Sequence, residues 1–312
     1  TLRGGKRLRA SLVEIGYLLF QRSNEIPDSI GKIILQIGGA MELLQSFFLI
    51  HDDIIDNSAL RRGLETLHLI WARKYDDDFH LGESMGILSG NYALITVYRI
   101  FENLTDVSME TKLSLYTLLN QVIQDTLAGQ ILDVIVSNKS LDDANEEEIL
   151  EIMRLKTAKY TILAPLQFGA ILAGIPLKQL NALDNFSIPF GLAFQISDDI
   201  LGTFGKEIKT GKSTNSDLME GKKTLFILNA YEKCNLEEKQ IFLNVLGKNN
   251  KTDKEYDKIR EIIQKYKSLE YSQSKIEEYV QLGKKSLALF QGNESAKNIL
   301  LSLAEQQISR SS

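Results

Sequence analysis

Cysteine is almost absent. Cys234 stands alone among 312 residues, so no internal disulfide can form and no cysteine-rich zinc site can be assembled. The three histidines, His51, His68 and His80, lack the spacing of zinc ligands. Proline is scarce, with only Pro27, Pro165, Pro176 and Pro189, which removes the main obstacle to long helices. There is no excess of basic charge. The net charge is −5 and the lysines and arginines are scattered, which argues against nucleic acid as a partner. Uninterrupted apolar segments, such as Phe47 to Ile50 and Ala170 to Leu177, fall short of the ~20 residues of a membrane span. The first residues do not read as a signal peptide. A cytoplasmic protein of a reducing compartment is expected.

With 44% hydrophobic residues the chain can bury a large core. Stretches 28–58, 108–137, 145–173 and 270–289 carry apolar residues at three- and four-residue spacing, the period of amphipathic helices. Strand-like alternation bounded by hairpin turn signals is not evident, no repeat of fixed period is found, and nothing marks a linker. The reading is a single all-α domain over residues 1–312. Loops are expected at 21–28, 59–66, 74–83, 103–108, 138–146, 174–178, 205–221 and 248–253. The acidic runs Asp76 to Asp78 and Glu146 to Glu148 read as solvated charge.

Two aspartate pairs lie far apart on these helices: His51-Asp52-Asp53-Ile54-Ile55-Asp56 and Gln195-Ile196-Ser197-Asp198-Asp199. Residues four apart on a helix share a face, about 6 Å apart along the axis, so Asp52 and Asp56 project together. Carboxylate oxygens suit magnesium, which keeps several waters and completes its shell with phosphate. The segment ahead of the first pair, Met41 to Ile50, is apolar enough to be core, and aspartates at its end need a compensating charge. Arg61 and Arg62 follow, side chains suited to bidentate phosphate contacts. Further cations stand at Lys6 and Arg9 in Gly4-Gly5-Lys6-Arg7-Leu8-Arg9, at Lys156 beside Thr157, and at Lys212 and Lys222 after the second pair. Gly129-Gln130-Ile131-Leu132-Asp133 adds an amide and a carboxylate.

In order, GGKRLR, DDIID with RR beyond, GQILD, KT, FQISDD and TGK with EGKKT resemble the motifs of the trans-isoprenyl diphosphate synthases over about residues 4–224. The resemblance implies an isoprenoid synthase helical bundle around a central active-site cavity. It also implies a homodimer, and a helical region that relatives carry ahead of the glycine pair. The substrates implied are isopentenyl diphosphate and an allylic diphosphate held by three Mg2+ ions. Matched position by position, Asp52, Asp56 and Asp198 would ligate magnesium with Asp53 and Asp199 in support. Arg61, Lys156, Lys212 and Lys222 would hold the allylic diphosphate, and Lys6, Arg9, Gln45 and Arg62 the isopentenyl diphosphate. Thr157 and Gln195 would steady the developing cation, and the loop bearing Lys212 and Lys222 would close as a lid. Three positions depart from the pattern: Gly202 stands where many members carry a third aspartate, Asn91 where an aspartate is common, and Ala10 where a proline is frequent.

The reaction implied is head-to-tail condensation: the allylic C–O bond breaks, the isopentenyl double bond attacks the carbocation, and a proton leaves. Phe47 and Phe48, five and four residues before Asp52, are expected to floor the cavity. In the family this chain resembles, bulky residues there accompany short products. The expected product is therefore farnesyl diphosphate (C15), with geranylgeranyl diphosphate (C20) as the alternative. A terpene cyclase would not need the second basic site, and a non-catalytic subunit of a heteromeric synthase would typically have lost aspartate motifs.

Overall fold

Pro27 followed by Asp28 makes a favourable helix start, fixing the entry backbone and placing negative charge in the first turn. From there the apolar positions Ile33, Ile37, Met41, Leu44 and Phe47 recur at three- and four-residue spacing, and all are buried. In the computed structural model, which describes residues 7–205, 215–248 and 250–311, they form one stripe of α2 (Asp28–Ile55). The other helices are α1 (Leu8–Leu18), α3 (Leu67–Lys74), α4 (Phe79–Glu102), α5 (Met109–Ser137), α6 (Glu146–Ile152) and α7 (Ala164–Leu172). They are followed by α8 (Asp184–Phe204), α9 (Ser216–Met219), α10 (Leu225–Lys233), α11 (Leu236–Val245), α12 (Asp253–Lys265), α13 (Ser268–Leu289) and α14 (Glu294–Ser311). The fold is all-α, as the periodicity predicts.

Three details differ from the sequence reading. The expected loop 59–66 contains a short hairpin, β1 (Leu60–Arg61) with β2 (Leu64–Glu65), paired antiparallel; strands of two residues are too short to show alternation. The expected helix 145–173 is not uniform, because Met153–Leu163 between α6 and α7 closes π-type hydrogen bonds. The third detail is α2, which is long and apolar enough to cross a membrane by length and composition, although 56% of its most apolar stretch is buried. Glycines and polar residues interrupt its apolar runs, and its apolar stripe is taken up by packing against α1, α3, α4 and α7.

The chain divides into two compact units. The first comprises Thr1–Asn120, Ala164–Leu180 and Gly292–Ala296. Its interior joins Leu12 and Val13 of α1 to Ile37, Met41 and Leu44 of α2, Phe101 of α4 and Phe168 of α7. The second comprises Gln121–Leu163, Asn181–Gln291 and Lys297–Ser312. In it α8 lies between α13 and the π-helical segment, and Phe186, Phe190, Ile196, Phe226, Ile259 and Ile276 are buried. Helix α12 is amphipathic: it exposes most of its charges and buries Tyr256, Ile259, Ile262 and Ile263.

Buried in the first unit is His68, whose ring nitrogens have no hydrogen-bond partner. Burial pushes its pKa below the ordinary 6.5, against the pull of Asp53 and Glu83. Below about pH 6.5 the unfolded chain therefore takes up a proton that the folded chain refuses, and stability falls as pH drops until the folded-state pKa is reached. His68→Gln is expected to flatten this part of the acid limb. The check is urea unfolding of both proteins at pH 7.5 and pH 5.5; an equal pH dependence in the two would refute it.

Candidate active site

The two aspartate motifs are sorted by the same rule. On α2 the buried positions Ser46, Ile50 and Asp53 follow one another at helical spacing, so Asp53 falls on the inward side. Asp52 and Asp56 fall on a half-buried side, one turn apart, with the Asp56 N–H donating to the Asp52 carbonyl at 2.8 Å. A carboxylate as buried as Asp53 is costly without a cation. Arg61 provides it: Nε donates to Asp53 Oδ1 at 2.8 Å and Nη2 to the same oxygen. Arg61 is delivered by the hairpin, in which Arg61 pairs with Leu64. Positive φ at both Arg62 (55°) and Gly63 (74°) makes the connection a type I′ turn. Arg61 thus neutralises a buried aspartate, rather than presenting its whole guanidinium to a diphosphate.

Around Arg62 the charge is crowded. Burial lowers its pKa, Arg7 and Arg61 lower it further with a smaller contribution from Arg9, and Glu42 opposes them. Arginine stays charged nonetheless, so the group is a ready anion site. Arg7 Nη1 donates to Glu42 Oε2 at 3.4 Å, and Gln45 lies on α2 three residues beyond Glu42, half-buried. The structure therefore gathers the predicted Arg9 and Arg62 and adds Arg7 and Glu42, which the sequence reading passed over. Lys6 lies outside the described residues.

Phe47 and Phe48, the rings expected to floor the cavity, lie against each other. Phe47 is 6% exposed; its ring lies 4.9 Å from that of Phe48 and 4.7 Å from that of His51, edge-on to the latter. His51 Nδ1 is 3.0 Å from the Phe47 carbonyl oxygen. Phe47 is buried, while Phe48 is half-buried.

On α8 the inward residue of the pair is Asp199, 2% exposed, and Asp198 is half-buried. Lys222 Nζ donates to Asp199 Oδ1 at 2.6 Å. Burial pulls the Lys222 ammonium down, but the carboxylates of Asp199, Asp217 and Asp133 outweigh it and hold the lysine well above its ordinary value, while burial pushes the Asp199 carboxyl up against the pull of Lys222. Lys222, expected on a closing lid, here pairs with a buried aspartate. Lys212 lies outside the described residues.

Gln195 is fixed at both ends of its amide. Its Nε2 donates to Asp199 Oδ1 at 2.8 Å, and its Oε1 accepts from the Thr157 hydroxyl at 2.6 Å. Beside Thr157, Lys156 donates to Asp133 Oδ2 at 2.9 Å. Gly129 makes that reach possible: a Cβ there would lie 2.9 Å from the Leu155 Cβ and closer still to the Lys156 backbone, so α5 meets the π-helical segment with almost no gap. The sequence reading noted Asp133 without giving it a role.

The polyprenyl synthetase family matches this chain over residues 1–263. The chain belongs to that family. The geranylgeranyl diphosphate synthase of Saccharolobus solfataricus is 31% identical over 313 residues, covering 98% of this chain and 87% of that protein. The geranylgeranyl diphosphate synthase of Sulfolobus acidocaldarius is 33% identical, covering 88% of this chain and 78% of its own. Among solved structures, the geranylgeranyl pyrophosphate synthase of Corynebacterium glutamicum, complexed with isoprenyl diphosphate and magnesium, is similar with a TM-score of 0.88 at 29% identity. That match covers 98% of this chain and 87% of the other. A polyprenyl synthetase is a prenyltransferase, and in this one the polar residues fit a hard divalent cation. Among the described residues no three His, Cys, Asp or Glu side chains form a preassembled metal cluster. Sparse carboxylate donors, one or two to a motif, suit magnesium, which retains waters and takes phosphate oxygens, better than an ion caged wholly by protein.

Proposed function

We propose that the protein is a magnesium-dependent short-chain trans-prenyltransferase that condenses an allylic diphosphate with isopentenyl diphosphate and makes geranylgeranyl diphosphate. The observation that carries the reaction class is the shared sorting of the two motifs. In each, one aspartate is buried and neutralised by a cation of the protein, Asp53 by Arg61 and Asp199 by Lys222. The others, Asp52 and Asp56 in one motif and Asp198 in the other, are left half-buried to serve as metal ligands. Bound magnesium would neutralise the charge that develops on the departing diphosphate.

The remaining roles belong to the chain itself. Lys156, aimed by Asp133, holds the allylic diphosphate. The cluster of Arg7, Arg9 and Arg62, with Gln45, holds isopentenyl diphosphate. This second anion site favours a synthase over a cyclase, which takes one diphosphate. Gln195 is held in one orientation by Asp199, because turning its amide over would set the carbonyl against that carboxylate, while the Thr157 hydroxyl follows by donating to the carbonyl oxygen. A locked carbonyl dipole costs no reorganisation when positive charge appears beside it; we assign Gln195 and Thr157 to the allylic cation.

The expected C15 product gives way to C20. The relatives named above are geranylgeranyl diphosphate synthases, whereas the C15 reading leaned on two aromatic rings alone. Dimethylallyl and isopentenyl diphosphates incubated with the enzyme and magnesium are expected to give C20 as the main product, read by chain-length analysis. Termination at C15 under excess isopentenyl diphosphate would restore the shorter product. A hydrocarbon or alcohol released from farnesyl diphosphate alone would identify a cyclase.

A further inference from the structure

Helix α8 has no side chain where its metal-binding face would carry a further ligand. Position 202 follows Asp198 by four residues and so lies on the same face, one turn on, but it is glycine. The space is filled all the same. A Cβ placed on Gly202 would lie 2.9 Å from Cγ of Asp217 and 3.2 Å from its Oδ1, with Oδ2 nearer still. A carboxylate from the following segment thus occupies the volume that a side chain at 202 would take.

Asp217 is 7% exposed, and its position is held from several sides. Its carbonyl accepts from the Lys222 N–H at 3.0 Å, and the Met219 N–H donates to the Asn215 carbonyl at 2.8 Å. Arg260 of α12 then ties this turn to the end of α8: Nε donates to the Thr203 carbonyl at 2.9 Å and Nη2 to Asn215 Oδ1 at 2.5 Å. Asn215 Nδ2 in turn donates to Asp253 Oδ1 at 2.7 Å. A buried carboxylate is costly unless charge or hydrogen bonds offset it. A segment braced in this way over a glycine is arranged to keep one there.

We propose that Asp217 supplies from α9 the carboxylate that α8 lacks at position 202, and that it serves the Asp198 metal site as a positioning residue acting through metal-bound water. The inference rests on the magnesium role given above to Asp198. Because no three carboxylates form a preassembled cluster among the described residues, Asp217 is placed outside the inner ligand set, where a carboxylate orients water and adds negative charge. Lys222 links the two functions: it pairs with Asp199 and also feels Asp217.

The test is binding of inorganic diphosphate as a function of magnesium concentration, followed by calorimetry, so that no turnover is needed. Asp217→Asn keeps the shape and removes the charge. It is expected to raise the magnesium concentration for half-saturation about tenfold or more, the usual size of an outer-shell loss. Gly202→Asp combined with Asp217→Gly, which empties that volume, returns the carboxylate to it from α8 itself, and is expected to recover most of that loss. Wild-type magnesium dependence in Asp217→Asn overturns the proposal, even if the variant melts at a lower temperature, because Asp217 is then only a counter-ion for Lys222. A double variant as weak as Asp217→Asn overturns it too. If Asp217→Asn fails to fold, the double variant decides alone: near wild-type dependence supports the proposal and a tenfold loss rejects it. Asp198→Ala separates the levels. Loss of magnesium-dependent binding in it with none in Asp217→Asn removes only this inference, whereas retention in Asp198→Ala removes the metal-site reading on which it stands.

Discussion

Asp52→Ala and Asp198→Ala are each expected to lower kcat by about 10^3-fold or more at saturating substrate, about 4 kcal/mol of transition-state stabilisation, while leaving the fold intact. The reason lies in the sorting of the motifs. Both residues sit on half-buried sides of their helices, so truncation removes a metal ligand without opening the core, and stability is expected to change by only about 0.5 kcal/mol. Steady-state kinetics together with a thermal melt by circular dichroism makes the check. Magnesium-dependent condensation at near wild-type rates in either variant would contradict the ligand assignment, and a collapsed melt would mean that the residue is structural instead.

Lys222→Ala should act in the opposite sense, on stability first. It strands the Asp199 carboxylate, which is 3% exposed, with the Gln195 amide as its remaining donor among the bonds described above. Breaking a fully buried pair costs about 3–5 kcal/mol. The Lys222 side chain is 34% exposed, so water softens the loss, and about 2–3 kcal/mol is expected. Lys222→Met with Asp199→Asn removes both charges and should recover much of the loss, since the penalty belongs to the uncompensated ion and not to the absence of the pair. Urea unfolding of the single and double variants is the measurement. If the double variant is no more stable than Lys222→Ala, the ion pair is not what holds this region.

Much of this was legible in the sequence. Helices at 28–55, 109–137 and 268–289 match the periodicity closely, since long amphipathic stripes average over local exceptions. The pairing of Thr157 with Gln195 joins two residues assigned together from the motif pattern. What could not be read was which aspartate of each pair faces inward. That depends on the phase of the buried stripe at its last turn, where polar residues replace the apolar ones that mark it. The π-helical segment was hidden for a related reason: Met153 to Leu163 is compatible with either hydrogen-bond register, and packing against α5 and α8 chooses. Asp217 was invisible because its meaning lies in a glycine fifteen positions earlier, a relation that only the folded chain creates.

The separation along the chain between each inner aspartate and its cation sets an order of assembly. Asp53 and Arg61 are eight residues apart, whereas Asp199 and Lys222 are twenty-three apart. Closing the longer loop costs roughly 0.9 kcal/mol more in chain entropy, and it closes by bringing α9 and Lys222 onto α8 rather than by the turn of a local hairpin. During folding, the first motif can be neutralised by its own neighbourhood, while Asp199 stays an exposed acid until the chain after α8 has come home. The second motif is therefore expected to be the later to acquire its final shape, and the one whose maturation slows most when the segment after α8 is lengthened.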